Sequence, residues 1–240
     1  MHVHLPKPLH GWRAFVGEVG IIVLGVLIAL GFEQLVQNIG ERRAREQARE
    51  SIRQELADDF ARFHKRTEVQ PCIDRRLNEI ASVLRAAEMP GYKPPRWIGR
   101  PQLWEAESNR WEAASQAGRT SLFDTEEQSV VSAVYEDILP IDQQERQEQI
   151  AWAHLRALED DPRPSSELLS ALKLALEDAR LQNWLIQINI DQAGKVARTL
   201  RLPQSRDVFA FSKGSPSVCL SIDTPRSLAL AKIRSPWGEP

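Results

Sequence analysis

A chain of 240 residues with a formal net charge of −2 has no global attraction for polyanions, and its length allows one anchor plus one domain with a core of its own. The low glycine count favours helix, and two cysteines without a CxxC pair or nearby histidines argue against a structural zinc site. The sequence lacks a Gly-rich phosphate loop, HExxH, GxSxG and an aspartate-rich calcium loop, so it is read as a non-enzyme without a cofactor. A basic face on a recognised nucleic-acid-binding scaffold is also missing, which removes nucleic acid from the expected partners.

Residues 1–13 make a polar tail in which Pro6 and Pro8 keep the chain extended. His2, His4 and His10 pre-organise no metal site there, because no acidic or thiol ligand accompanies them. Lys7 and Arg13 favour holding this end on the cytoplasmic side of a membrane.

Residues 14–39 are the most apolar stretch of the chain. The uncharged run 19–32 alone gives ~21 Å of helix, short of a ~30 Å bilayer core. Apolar flanks extend the span to about 22 residues, with Glu18 and Glu33 near its ends, where carboxylates reach headgroups or water. The competing reading is a cleaved signal peptide, since Ala29-Leu30-Gly31 has the small-x-small form of a cleavage site. The helical pattern continues unbroken into residues 41–63, which favours an uncleaved transmembrane helix. Glu18, Ile22, Gly25, Ala29 and Glu33 fall on one side of it. Gly25 and Ala29 form a small-xxx-small pair, so this face is a candidate interface to a second copy or a membrane partner.

The stretch 17–34 resembles the anchor of a family of uncharacterised single-span bacterial membrane proteins. In that family a Gly-Glu pair opens an Ile/Val/Leu-rich span with a G-(V/I)-L-I-A-L core. Gly17, Glu18, Gly25, Val26, Leu27, Ile28, Ala29 and Leu30 match it, and the leader from His4 to Arg13 is similar to a subgroup. The resemblance covers the first forty residues or so. It implies an integral membrane protein with its N-terminal end in the cytoplasm, and no assigned activity.

Residues 40–88 read as amphipathic helix. Ala44, Ala48, Ile52, Leu56, Phe60 and Phe63 draw one apolar stripe, and Glu41/Arg45 and Arg42/Glu46 have the spacing of helix-supporting ion pairs. Pro71 is expected to interrupt this helix, with a second piece over residues 72–87. Arg42, Arg43, Arg45, Arg49 and Arg53 would by positive counting keep the C-terminal part inside, but long domains translocate largely regardless of charge. The expected topology is therefore tail inside and domain outside, in the bacterial inner membrane. Residues 89–102 are a Pro-rich linker, a basic and aromatic loop carrying Tyr92, Lys93, Arg96, Trp97 and Arg100.

Residues 103–202 read as a helical bundle. Its expected helices cover residues 103–117, then from a cap at Asp124 to Leu139, where Pro140 is expected to kink or restart the helix, a further one to Leu158, and finally 166–200 with a near-heptad rhythm suited to a central helix or a coiled-coil seam. Residues 203–240 form an irregular tail with candidate short strands over 208–211 and 218–222. Cys72 and Cys219 are either one disulfide, if the domain lies outside the cytoplasm, or two unrelated thiols. The expected fold is thus mainly α: a transmembrane helix, an amphipathic continuation, a bundle and a small irregular or β tail. The expected function is a membrane-anchored interaction or scaffold module, with a ligand-sensing domain or a tethered enzyme as the alternatives.

Overall fold

The computed structural model describes residues 11–206 and 217–232. His2, His4, His10 and the strand expected over residues 208–211 lie outside them. The described chain is mainly helical, and it contains no strand.

Helix α1 (Gly11–Ala86) is a single helix of 76 residues, about 114 Å long at ~1.5 Å per residue. It has two parts of opposite character. From residue 15 to residue 43 every residue is exposed, including the apolar side chains of the candidate span. That stretch is long and apolar enough to cross a membrane. From Ala48 onward the apolar stripe turns into core: Ala48, Ile52, Leu56 and Phe63 are buried, followed by Ile73, Leu77, Ile80 and Leu84.

Pro71 does not break α1 as expected. A proline removes the hydrogen bond from its own nitrogen to the carbonyl four residues back. Here Pro71 and Thr67 are both exposed, so water can take the place of the missing donor. Pro140 is absorbed the same way inside α3 (Thr125–Leu155), with Pro140 and Glu136 both exposed.

Helix α3 starts where Asp124 accepts the Glu127 N–H at 2.8 Å. Helix α4 (Ser166–Ala197) starts where the Ser165 hydroxyl accepts from Leu168 N–H at 3.2 Å, and it ends in a 3₁₀ turn over Arg198–Leu200. The two helices are antiparallel to each other, and against the second part of α1 helix α3 runs parallel and α4 antiparallel. Near the exposed end of α1, Ala48 to Phe63 pack with Val131 to Ile141 and with Ile186 to Leu200. At the far end, Ile73 to Leu84 pack with Ala151 to Leu158 and Leu169 to Ala179.

Between α1 and α3 the chain departs from the expected pattern. The helix expected over residues 103–117 shrinks to α2 (Asn109–Gln116), and residues 101–108 are extended, with Trp104 buried. The strand expected over residues 218–222 does not form: Ser217–Cys219 is a 3₁₀ turn, and α5 (Arg226–Lys232) follows. The Glu41/Arg45 and Arg42/Glu46 pairs do not form, and Glu46 instead faces Arg49 at 3.4 Å.

Pro71→Ala restores a backbone donor to an exposed helical position and should raise stability by roughly 1–3 kcal/mol. Urea unfolding of the two chains checks this. An unchanged or lower midpoint would show that the proline is needed where it stands.

Candidate functional site

The most distinctive site is a line of buried charge beside the core. On α1, Glu55, Asp59, Arg62 and Arg66 recur at steps of four, three and four, so they share one face. Glu55, Asp59 and Arg66 are buried. Facing them, α3 supplies Tyr135, Asp142, Glu145 and Glu148. The extended segment 101–108, a strap, threads between the two helices.

A strap buried against helices has no neighbouring strand to accept its N–H groups, and an unpaired buried amide is costly. Here carboxylates act as the acceptors. Glu145 takes the Trp104 N–H at 2.8 Å, Asp142 the Ala106 N–H at 2.7 Å and Asp59 the Glu107 N–H at 2.9 Å. Arg62 completes the clamp from the donor side. Its guanidinium donates to the Glu105 carbonyl at 2.9 Å and to the Glu107 carboxylate at 2.6 Å.

Glu55 finishes the line by capping α2 from a different helix. The Ser108 side chain makes no cap bond of its own. Glu55 instead accepts the Arg110 N–H at 2.7 Å and the Trp111 N–H at 3.2 Å, groups that the first turn leaves unpaired. Negative charge is also favoured at that helix end. The Tyr135 hydroxyl donates to the same carboxylate at 2.6 Å, and the Tyr135 ring stacks on Trp111 with centroids 5.1 Å apart. Burial and the Glu55 bond both push the Tyr135 pKa up.

Deeper in, Arg66 donates to Glu148 at 2.7 Å and to Asn183 of α4 at 2.9 Å, which ties all three long helices together. Arg66 and Glu148 are each 1% exposed. Burial is the main influence on the acids. It pushes Asp59 up to about 8, against the Glu107 amide and Arg62, which favour its charge. It pushes Glu145 up to about 7, against the Trp104 amide and Arg66. Burial also raises Glu148, opposed by Arg66.

A second knot holds the C-terminal segment. Buried Arg76 donates to the carbonyls of Trp97 (2.7 Å), Ile98 and Leu220 and to the Glu79 carboxylate at 2.8 Å. Burial weighs against its charge, and Glu79 supports it. Beside it, Cys72 of α1 is disulfide-bonded to Cys219, with Cα atoms 4.9 Å apart. Trp97, one of the two aromatics of the basic linker, is 4% exposed and donates its indole N–H to the Ser217 carbonyl at 2.9 Å. Gly99 has φ +69°, and a Cβ there would stand 2.6 Å from the Ser217 carbonyl oxygen, so glycine is needed on both counts.

Glu18, Ile22, Gly25, Ala29 and Glu33 all lie on the exposed part of α1, and nothing else in the body comes within 4 Å of a Cβ placed on Gly25. The candidate interface and the charged line therefore sit on different halves of one helix. The charged line was missed in the sequence, although a signal for it is present. Glu55, Asp59 and Arg66 repeat with the 4/3 rhythm of the apolar stripe, displaced by one or a few positions toward the buried side. His154 is exposed on α3 and takes no part. Among the described residues, no group of three or more His, Cys, Asp or Glu side chains is arranged to hold a metal ion.

Comparison with protein families, curated proteins and solved structures yields no match to the chain. The chemical role of the site rests on its geometry: carboxylates spent on backbone amides position the strap and α2 on the body.

Two outcomes test this. Glu55→Ala leaves two helix N–H groups and the Tyr135 hydroxyl without their acceptor, so it should cost on the order of 3 kcal/mol or more in urea unfolding. Asp59 and Glu145 bind protons more tightly folded than unfolded, starting from ordinary values of 3.8 and 4.5. Their contribution to stability is therefore full at low pH and declines as pH rises through about 7 to 8. The double variant Asp59→Asn/Glu145→Gln keeps both amide acceptors, so its unfolding free energy should fall less than the parent's between pH 5 and 8 on that basis. Parallel slopes for the two chains would remove these acids as the cause.

Proposed function

We propose that this chain is a membrane-anchored helical module, with the first part of α1 spanning the bilayer and the body held outside the cytoplasm as an interaction or scaffold domain. The observation that carries it is the division of α1. Residues 15–39 expose mostly apolar side chains, which water disfavours, while the same helix beyond Ala48 is core. The apolar length over residues 15–39, roughly 36 Å, exceeds a bilayer core of ~30 Å. The Cys72–Cys219 bond favours an oxidising compartment for the body. Glu18, Ile22, Gly25, Ala29 and Glu33 are then the face by which the span meets another helix.

The continuity of α1 also favours a second function, in which the body senses a ligand and passes its state through the span to a membrane partner. No turn separates the buried charged line from the span, so a displacement of α1 in the body reaches the other end of the helix. Affinity capture of the full chain from membranes should then recover an integral partner, and capture of none would remove this function.

For the anchored module, a C-terminal alkaline phosphatase fusion in a bacterial host should be active and a C-terminal fluorescent-protein fusion dark. Protease added to spheroplasts should digest the body, which should migrate as the oxidised form on non-reducing gels. A protected body with reduced cysteines would reverse the topology.

A further inference from the structure

We propose that the root of the exposed helix, where α1 leaves the membrane for the body, is a docking site for anionic phospholipid headgroups. This rests on the anchored placement above. If Ile39 marks the edge of the hydrocarbon, the headgroup layer beyond it is roughly 5–7 Å deep, or four to five residues of helix. Arg42, Arg43 and Arg45 fall in or at the border of that layer and, at 100° per residue, fan across about 160° of the helix.

The body adds a second tier further out, since Ala48 and Arg53 stand roughly 14 and 21 Å along α1 from Ile39. Where α1 enters it, Ala48 and Ile52 pack with Phe123, Ala197 and Leu200, and the Arg53 guanidinium bonds the Leu200 carbonyl. This brings the 3₁₀ turn Arg119–Leu122 and the end of α4 around the root of the exposed helix. Arg119, Arg198 and Arg201 are exposed there. Arg201 has φ +46° and stands between Leu200, which is buried, and Leu202, which packs on the core. The chain thus turns inward on either side of an outward arginine.

Among the described residues, none of these six arginines makes a side-chain hydrogen bond or an ion pair. Acids at this end are partly committed elsewhere. Glu46 and Glu127 face Arg49 at 3.4 and 2.5 Å, and Asp124 caps α3. Glu41, Glu50 and Glu126 remain free, so free guanidiniums outnumber free carboxylates two to one. Three unpaired guanidiniums in the headgroup layer fit anionic phosphates, which arginine binds bidentately, and the three beyond it add a longer-range attraction that salt screens.

The test uses the full chain in vesicles of phosphatidylcholine with a minority of phosphatidylglycerol, with spin-labelled versions of each lipid as probes. The labelled phosphatidylglycerol should associate at least about threefold more strongly than labelled phosphatidylcholine, and high salt should erase the preference. The triple variant Arg42→Gln/Arg43→Gln/Arg45→Gln should lower the ratio most, and Arg119→Gln/Arg198→Gln/Arg201→Gln, which leaves the span and its flank untouched, should lower it less and only at low salt. A ratio near one in the parent, or a ratio that neither variant changes, overturns the proposal. Failure of the parent to float with pure phosphatidylcholine vesicles is a separate result, which overturns the anchored placement itself.

Discussion

An extended segment can be buried between helices only if something accepts its backbone N–H groups, and in this protein side-chain carboxylates do so. Trp104, Ala106 and Glu107 of the strap, with Arg110 and Trp111 at the start of α2, donate to Glu145, Asp142, Asp59 and Glu55. Without these acceptors five amides would be stranded, at ~1–3 kcal/mol each. The strap fills the space between α1 and α3 that a closer approach of the helices would otherwise close. The spacing of the helical body is therefore set by these hydrogen bonds as much as by its leucines and isoleucines.

Burying acids this way carries an electrostatic cost, visible in Asp59 and Glu145, whose pKa values rise to about 8 and about 7. The arrangement tolerates it because Arg62 and Arg66 stand in the same line, and because a neutral carboxyl still has an oxygen that accepts the amide N–H. Arg66 reaches Glu148 and Asn183 from α1, so α3 and α4 are registered against it by directional bonds. Apolar contacts alone would permit sliding along the helix axes. A buried ion pair adds little net stability, but its geometry is exacting, and removing one partner would leave the other charge buried and unpaired.

Periodicity made the helices legible. The stripe from Ala44 to Phe63 and the Asp124 and Ser165 caps are local features, and the structure uses them locally. Proline misled twice, because whether Pro71 or Pro140 breaks a helix depends on which side of it faces water, and that is a tertiary fact. Residues 103–117 misled for a related reason. Leu103 to Glu107 are competent helix formers, but the offered acceptors on α1 and α3 lie 36 to 48 residues away and favour an extended backbone. The charged line was hidden because Glu and Arg on a helix normally signal a solvated face, and only the identity of the neighbouring element reverses that reading.

The C-terminal segment depends on a different kind of restraint. Of the 16 described residues from Ser217 to Lys232, Val218 and Ala229 are buried, while Leu228 and Leu230 of α5 are exposed. Burying one valine is worth about 1.5–3 kcal/mol, against ~1–2 kcal/mol for ordering each backbone residue. Apolar burial alone would leave the segment detached. Arg76 gathers its Leu220 carbonyl together with those of the linker, which binds the two segments to one guanidinium on α1. The Cys72–Cys219 bond closes a separation of 147 residues and on the chain-entropy model lowers the cost of keeping the segment in place by up to about 5 kcal/mol. The architecture of this end is therefore tied to the redox state of its surroundings in a way the rest of the body is not: reducing Cys72 and Cys219 removes that restraint and leaves the segment to Val218, Ala229 and the bonds from Arg75, Arg76 and Trp97.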